Sequence, residues 1–151
     1  MHRQFRAQYF WRVPAETSRW TTVSGVQCWF VSHRQGQSIA IQVLKDVYNI
    51  DASQARSKSW EEFKDVEFDF VVTVCDNARE TCPIWPGQPI VAHWGSPDPA
   101  AVEGTEAEKY RAFKEVAFQI NRRLQLFTSL PLDKLDRLKL AAATREIGSR
   151  E

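Results

Sequence analysis

Regular hydrophobic spacing begins at about residue 38 and continues towards the end of the chain. Three branched residues recur every four positions, which predicts an amphipathic helix that ends near Asn49: Ile39, Val43 and Val47. Residues 69–74, DFVVTV, form a short β-branched run that is typical of a buried strand in a parallel sheet. Residues 90–94, IVAHW, predict a weaker second strand, and the GSPDP that follows is a loop by composition.

Two further helices are predicted towards the C-terminus. Thr105 and Glu108 have the spacing of a capping box, and an apolar stripe follows it: Tyr110, Phe113, Ala117, Ile120, Leu124 and Phe127. A last helix begins after Pro131, with Gly148 near its end and three leucines on one face: Leu132, Leu135 and Leu138. Strands that alternate with helices indicate an α/β domain, with a parallel sheet flanked by helices.

The first 37 or so residues lack this regularity. They contain five arginines, one glutamate, three of the six tryptophans and neither lysine nor leucine. Neither a period of 2 nor one of 3.6 persists, and the apolar strand and helix that normally open an α/β domain are not recognisable. This local inconsistency divides the chain into an aberrant N-terminal segment, residues 1–38, and a domain over residues 39–151.

Composition narrows the classes of function. The 43% of hydrophobic and 26% of charged residues are those of one ordinary globular domain with a sizeable core. The net charge of +1 gives no reason to expect nucleic acid or an acidic membrane surface as a partner, and no apolar run reaches the ~18 residues of a membrane span. Three cysteines, an odd number, do not suit a secreted disulfide framework, so we expect a cytoplasmic protein.

Cys75 and Cys82 are candidates for chemistry. Cys75 directly follows the predicted strand, and the carboxyl ends of parallel strands are where α/β sites are built. If residues 75–82 were helical, the two Cα atoms would lie about 10.5 Å apart. A disulfide needs roughly 4.4–6.8 Å between Cα atoms, so it could form only if the segment unwinds. The alternative is that both cysteines are small hydrophobic residues buried in the core. Their spacing does not suit a zinc site.

Four stretches of the sequence carry a family resemblance: IDASQARSKSWEEF, FDFVVTVCDNARETCPIWPG, HWGSPDPAAVEGTEAEKYRAF and LFTSLPLDKLDRL. In this order and spacing they resemble the thiol-dependent arsenate reductases of the low-molecular-weight protein tyrosine phosphatase superfamily, over about residues 39–148. The resemblance implies arsenate as the substrate and no bound cofactor. It implies as the reductant either thioredoxin or glutaredoxin with glutathione.

The resemblance also implies roles for individual residues. In that family a first cysteine, in a C-x₅-R loop, attacks arsenate; a second attacks the adduct and releases arsenite; a third resolves the disulfide. Cys75 matches the second cysteine and Cys82 the third, and Asp98 matches the general acid of the Asp-Pro loop. His93 is expected to brace that loop. Arg56 and Lys58 either attract the oxyanion or belong to a solvated surface.

The first cysteine has no convincing match. Cys28 and Arg34 meet the bare C-x₅-R pattern, but the residues between them include Trp29, Phe30 and Val31. A phosphate-binding loop needs small residues, because its backbone must bend and direct its N–H groups inward. We therefore expect the first strand and the phosphate loop of the fold to be missing, and the chain as written to be inactive as a reductase.

A frame shift accounts for the N-terminal segment. Read from the second base of each codon, the opening MHRQFRAQYF permits Cys-Thr-Gly-Asn-Ser-Ala-Arg-Ser-Ile, in which the cysteine codon is forced by ATG followed by C. The same offset on SGVQCWFVSHRQGQS permits Gln-Val-Tyr-Ser-Ala-Gly-Ser-Tyr-Pro-Thr-Gly-Arg-Val-Asn-Pro. Both resemble family motifs in their proper order. Residues 1–38 are thus expected to be a frame-shifted translation with an internal start, whether by sequencing error, pseudogene or gene assignment.

Two other functions remain open at this point. A low-molecular-weight protein tyrosine phosphatase would share the fold and Asp98 but would have no use for Cys82. A non-catalytic remnant would bind arsenite between its thiols, or would bind thioredoxin.

Overall fold

A computed structural model describes residues 8–11, 27–28, 34–54, 60–63, 65–74, 84–132 and 134–150. Its strands are β1 (Gln8–Trp11), β2 (Gln27–Cys28), β3 (Phe70–Thr73) and β4 (Ile90–His93). Its helices are α1 (Arg34–Tyr48), α2 (Glu106–Thr128) and α3 (Arg137–Ser149). Two 3₁₀ turns, Trp60–Phe63 and Pro99–Ala101, precede β3 and α2.

The strands form one sheet in the order β2-β1-β3-β4. β3 and β4 are parallel, with Phe70 opposite Ile90 and Thr73 opposite His93. Every residue of β3 is buried, so this strand lies in the interior with both faces covered, as its unbroken apolar run predicts. The α/β class and the parallel pairing of these two strands are confirmed.

The N-terminal strands differ from the sequence-based prediction of a wholly parallel sheet. β1 pairs antiparallel with β3, with Trp11 opposite Phe70, and β2 pairs antiparallel with β1, so the sheet is mixed. No strand was predicted in this part of the chain. The physical reason for the pairing is that a buried central strand must hydrogen-bond along both edges. Backbone groups make these bonds whatever the side chains are, so residues without strand periodicity can supply them.

The helical predictions hold for α1 and α2. In α1, Ile39 and Val43 are buried, and Asn49 just beyond the helix has a positive φ of 54°. In α2, the Thr105 side chain accepts a bond from the Glu108 N–H, and the Glu108 carboxylate accepts one from the Thr105 N–H, which completes the capping box.

The predicted start and apolar face of the last helix are wrong. α3 begins at Arg137, because the Asp136 side chain caps it by accepting from the Lys139 N–H at 2.9 Å. Leu138 therefore lies in the first turn on the outer side and is 83% exposed. The face that packs inward is made by Leu140, Ala141, Thr144 and Ile147.

Among the residues that the structure describes, three apolar clusters hold these elements together. The largest lies between the β3–β4 pair and helices α2 and α3, where Phe127 packs edge-on against Phe70 with ring centroids 4.9 Å apart. The second contains Phe68, Trp85 and Val71, and the Val71 side chain points to the opposite face of β3 from those of Phe70 and Val72. The third joins α1 to α2 through Ile39, Val43 and Phe113.

Within the ranges that the structure describes, no helix is both long and apolar enough to cross a membrane.

Candidate functional site

The carboxyl ends of β3 and β4 lie together at one edge of the sheet, because the two strands are parallel. The pairing extends past both strands: the Trp94 N–H donates to the Thr73 carbonyl at 2.8 Å, and the Ser96 N–H donates to the Val74 carbonyl at 2.9 Å. A side-chain bond between Thr73 Oγ1 and His93 Nδ1, 2.9 Å long, adds a third link. This bond fastens the ends of β3 and β4 to each other; that His93 braces the loop bearing Asp98 stays a prediction.

Asp98 lies on the loop that leaves β4. Its side chain caps the short turn Pro99–Ala101 by accepting from the Ala100 N–H at 2.9 Å, with extended backbone at Asp98 itself. Partial burial raises the pKa of the Asp98 carboxyl, and bonds from the Ala100 and Ala101 amides lower it by less. A carboxyl that holds its proton more firmly than usual is suited to a general acid.

Helices α2 and α3 both contact the residues that lead into this loop. The Trp94 side chain is fully buried, and its indole N–H donates to the Thr144 carbonyl of α3 at 2.8 Å. Gly148 lies against the same stretch, where a Cβ would collide with the His93 carbonyl oxygen and come within 2.9 Å of Trp94 Cδ1. The Ser96 hydroxyl bonds the Gln119 side chain of α2.

Arg123 is the residue of this region that the sequence analysis missed. Its guanidinium donates to the carbonyls of Trp94, Gly95 and Gly148, at 3.0, 2.9 and 3.1 Å. The signal was present in the sequence, since Arg123 lies three residues after Ile120 and four before Phe127. It therefore occupies a position on the apolar stripe of α2, where an arginine must be buried.

The cysteines of the predicted relay are not placed by the structure. Cys75 and Cys82 lie outside the described residues, as do Arg56 and Lys58. Sequence connectivity alone puts Cys75 directly after Val74, whose carbonyl accepts from Ser96. Cys28 is the last residue of β2 and Arg34 the first of α1; residues 29–33 between them are not described.

No cluster of three His, Cys, Asp or Glu side chains that could hold a metal ion occurs in the described part of the chain.

The chain is similar to curated proteins named arsenate reductase. The relative from Halalkalibacterium halodurans is 35% identical over 88 residues, and that from Oceanobacillus iheyensis 38% over 90. The relative from Bacillus subtilis is 38% identical over 88 residues. Each of these matches covers 58% of this chain and 63% of the relative's length. No protein-family model matches the chain.

Proposed function

We propose that residues 39–151 form the relay-bearing part of a thiol-dependent arsenate reductase with the low-molecular-weight phosphatase fold. The observation that carries the proposal is the shared edge of β3 and β4. There the Val74–Ser96 hydrogen bond joins the residue before Cys75 to the loop that bears Asp98. The similarity to proteins named arsenate reductase, at 35–38% identity, supports the same reading.

The proposed chemistry begins with a thiolate that displaces water from arsenate and forms a sulfur–arsenic(V) bond, with Asp98 supplying the proton for the departing oxygen. The Cys75 thiolate then attacks that sulfur, the sulfur–arsenic electron pair passes to arsenic, and arsenite leaves as a disulfide forms. Cys82 attacks Cys75 and frees the first cysteine. The Cys75–Cys82 disulfide returns to two thiols by taking two electrons from a dithiol of the thioredoxin or glutaredoxin class, which becomes oxidised.

We further propose that the 151-residue chain does not itself turn over arsenate. Cys28 is the cysteine left for the first step, and Trp29, Phe30 and Val31 follow it where a phosphate loop needs small residues. Residues 1–38 are then a frame-shifted reading of the segment that supplies the nucleophile. Sequencing of the gene and its transcript, from upstream of the start codon through the codon of Ile41, tests the frame shift. An open alternative frame supports the frame shift. Confirmation of the given frame in both the gene and the transcript refutes it.

The relay is tested in the protein restored to the alternative frame, with Cys82→Ser as the variant. We expect loss of thioredoxin-coupled arsenate turnover with aryl-phosphate hydrolysis retained, because hydrolysis needs the nucleophile and Asp98 but no third thiol. The phosphatase alternative shares Asp98 and its raised pKa with the reductase. It would be favoured instead if Cys82→Ser changed neither activity, or if the restored protein hydrolysed phosphate esters but did not reduce arsenate.

The chain as printed is the control for this experiment. Absence of arsenate turnover is expected from it, and measurable turnover would refute its proposed inactivity. Arsenite titration of the same chain, followed by loss of free thiols, tests the non-catalytic alternative, which the absence of any uptake would exclude.

A further inference from the structure

Arg123 is a buried cation in the middle of α2. Only 4% of its surface is exposed, whereas the neighbouring Arg122 is exposed to solvent. Arginine is rarely buried to this extent unless it is paired. Among the described residues no carboxylate lies within ion-pair distance of its guanidinium, and burial lowers its pKa. The group is therefore held by something other than an opposite charge.

Backbone carbonyls from two separate elements hold the Arg123 guanidinium. Nη1 donates to the Trp94 and Gly95 carbonyls and lies 3.4 Å from the Ser96 hydroxyl. Nη2 donates to the Gly148 carbonyl. A planar guanidinium can bridge two such directions at once, because its donors form a rigid fork that an ammonium lacks.

The two bridged elements have different characters. Trp94–Ser96 is the irregular stretch between the end of β4 and Asp98; its Trp94 and Ser96 amides bond the Thr73 and Val74 carbonyls, and its Trp94 and Gly95 carbonyls accept from Arg123. Gly148 lies in the last turn of α3, where carbonyls have no partner within the helix and a cation is favourable. Arg123 therefore satisfies the end of α3 with the same group that fixes the loop.

We propose that Arg123 is the positioning residue of the loop that bears Asp98, and that it holds this loop against the docked C-terminal end of α3. The inference deepens the proposed function and rests on it for the importance of Asp98. Arg123 does not touch the reacting atoms; it acts through the carbonyls of Trp94 and Gly95. A buried arginine that merely stabilised the fold would leave the loop and the Asp98 carboxyl as they are when the rest of the molecule stays folded.

The test uses the full 151-residue chain with Arg123→Met and Arg123→Lys, and with Arg122→Met and Arg122→Lys as matched controls. The first readout is hydrogen exchange of the Ser96 amide, which is protected by its bond to the Val74 carbonyl. The second is the titration midpoint of the Asp98 carboxyl by carbon NMR, assigned with Asp98→Asn. Neither readout depends on arsenate turnover, so failure of the proposed function and failure of this inference are told apart.

We expect exchange at Ser96 to become at least about tenfold faster in Arg123→Met. The Asp98 midpoint should fall towards the ordinary value of an aspartate, because a released loop exposes the carboxyl to water. Arg123→Lys should show both effects to a smaller degree, since an ammonium cannot span the two carbonyl directions. The Arg122 variants should show neither.

Three results would overturn the proposal. One is unchanged Ser96 exchange and an unchanged Asp98 midpoint in a folded Arg123→Met protein. Another is a rise of the Asp98 midpoint, because loss of a nearby positive charge raises a carboxyl pKa and would mean that Arg123 acts as a charge. If Arg123→Met does not fold, wild-type exchange and titration in Arg123→Lys would equally refute the positioning role.

Discussion

Asp98 has two properties, a capping hydrogen bond and a partly buried charge, that a single substitution can separate. Its side chain caps the Pro99–Ala101 turn, and its carboxyl is partly buried, which raises its pKa. Because the folded pKa lies above the unfolded one, the folded state holds more protons between the two values. The free energy of unfolding therefore falls as the pH rises through that window. The penalty for burying the ionised Asp98 carboxylate is fully present above the folded pKa.

Asp98→Asn is expected to keep the cap and remove the penalty. Stability at neutral pH should be equal to or above that of the wild type, and its fall between the two pKa values should flatten. Asp98→Ala, the control, loses the cap and should lose about 0.5–2 kcal/mol. Urea unfolding as a function of pH measures both variants. The assignment is wrong if Asn is as destabilising as Ala. In the protein restored to the alternative frame, the proposed general-acid role of Asp98 predicts that Asp98→Asn slows arsenate turnover by about 10²–10⁴-fold.

Gly148 is a second residue whose identity depends on its surroundings. A Cβ at this position would overlap the His93 carbonyl oxygen, and neither that backbone nor the buried Trp94 can move freely. The residue is therefore required for α3 to approach the end of β4.

Gly148→Ala should destabilise the protein by about 1–3 kcal/mol, although alanine is the better helix former. Ala143→Gly, elsewhere in α3, is the reciprocal control and should lose only about 1 kcal/mol through helix propensity. Thermal unfolding followed by circular dichroism compares them. A more stable Gly148→Ala would show that the close approach is absent in solution.

At the scale of elements, α2 is the best-specified part of the chain. Its capping box, its apolar stripe and its two acidic residues in the first turn all act in the same direction. Bonds from Thr105 lower the pKa of the Glu108 carboxyl. A lowered folded pKa stabilises the fold above the unfolded value, and that stabilisation is lost as the pH falls through the folded pKa.

Thr105→Ala should lower the free energy of unfolding by about 1 kcal/mol at neutral pH. Thr105→Ser, which keeps the hydroxyl, is the matched control and should change little. Because Glu108 loses the bond from the Thr105 hydroxyl in Thr105→Ala and keeps only the one from the backbone N–H, the difference between the two variants should shrink in acid, below the range where Glu108 ionises. Chemical denaturation at neutral and acid pH measures this. A difference that does not depend on pH would contradict the bond from the Thr105 hydroxyl to the Glu108 carboxylate.

At the scale of the whole molecule, α3 joins the sheet and α2 into one unit. Its inner face reaches Trp94 through Thr144 and Ile147, and its last turn accepts from Arg123. Outside the core, Arg137 bonds the Gln88 carbonyl just before β4, and Arg145 bonds the Val91 carbonyl within it, so one side chain covers a backbone group of β4 itself. β4 is the last strand of the sheet, and an uncovered edge of this kind invites pairing with other chains.

Substitution of Phe127 tests whether the sheet, α2 and α3 share one core. Phe127 is 2% exposed and contacts both Phe70 of the sheet and Trp94 of the loop. Phe127→Ala should destabilise the fold by about 3–5 kcal/mol, and Phe127→Leu by less. If β3 and α3 share this core with α2, hydrogen exchange should accelerate in β3 and in α3 together. Acceleration confined to α2 would show that the elements unfold separately.

Local sequence determined a large part of this structure. The start of α2, the stripe of Phe113, Ile120 and Phe127, and the strand that precedes Cys75 follow from residues a few positions apart, because caps and apolar periodicities act over one or two turns. The parallel class of β3 and β4 follows from the same local signals. The resemblance of the sequence also predicts arsenate chemistry and roles for Asp98, Cys75 and Cys82, and these stay predictions.

Tertiary structure decided what depends on contacts between distant residues. The bond from Trp94 to Thr144 spans 50 positions, and that from Arg123 to Gly95 spans 28. Pairing of β1 against β3 uses backbone groups, which carry no side-chain pattern to read. The position of Leu138 depended on where Asp136 caps α3. In each case the deciding energy comes from burying or satisfying a polar group against a partner that no local window contains.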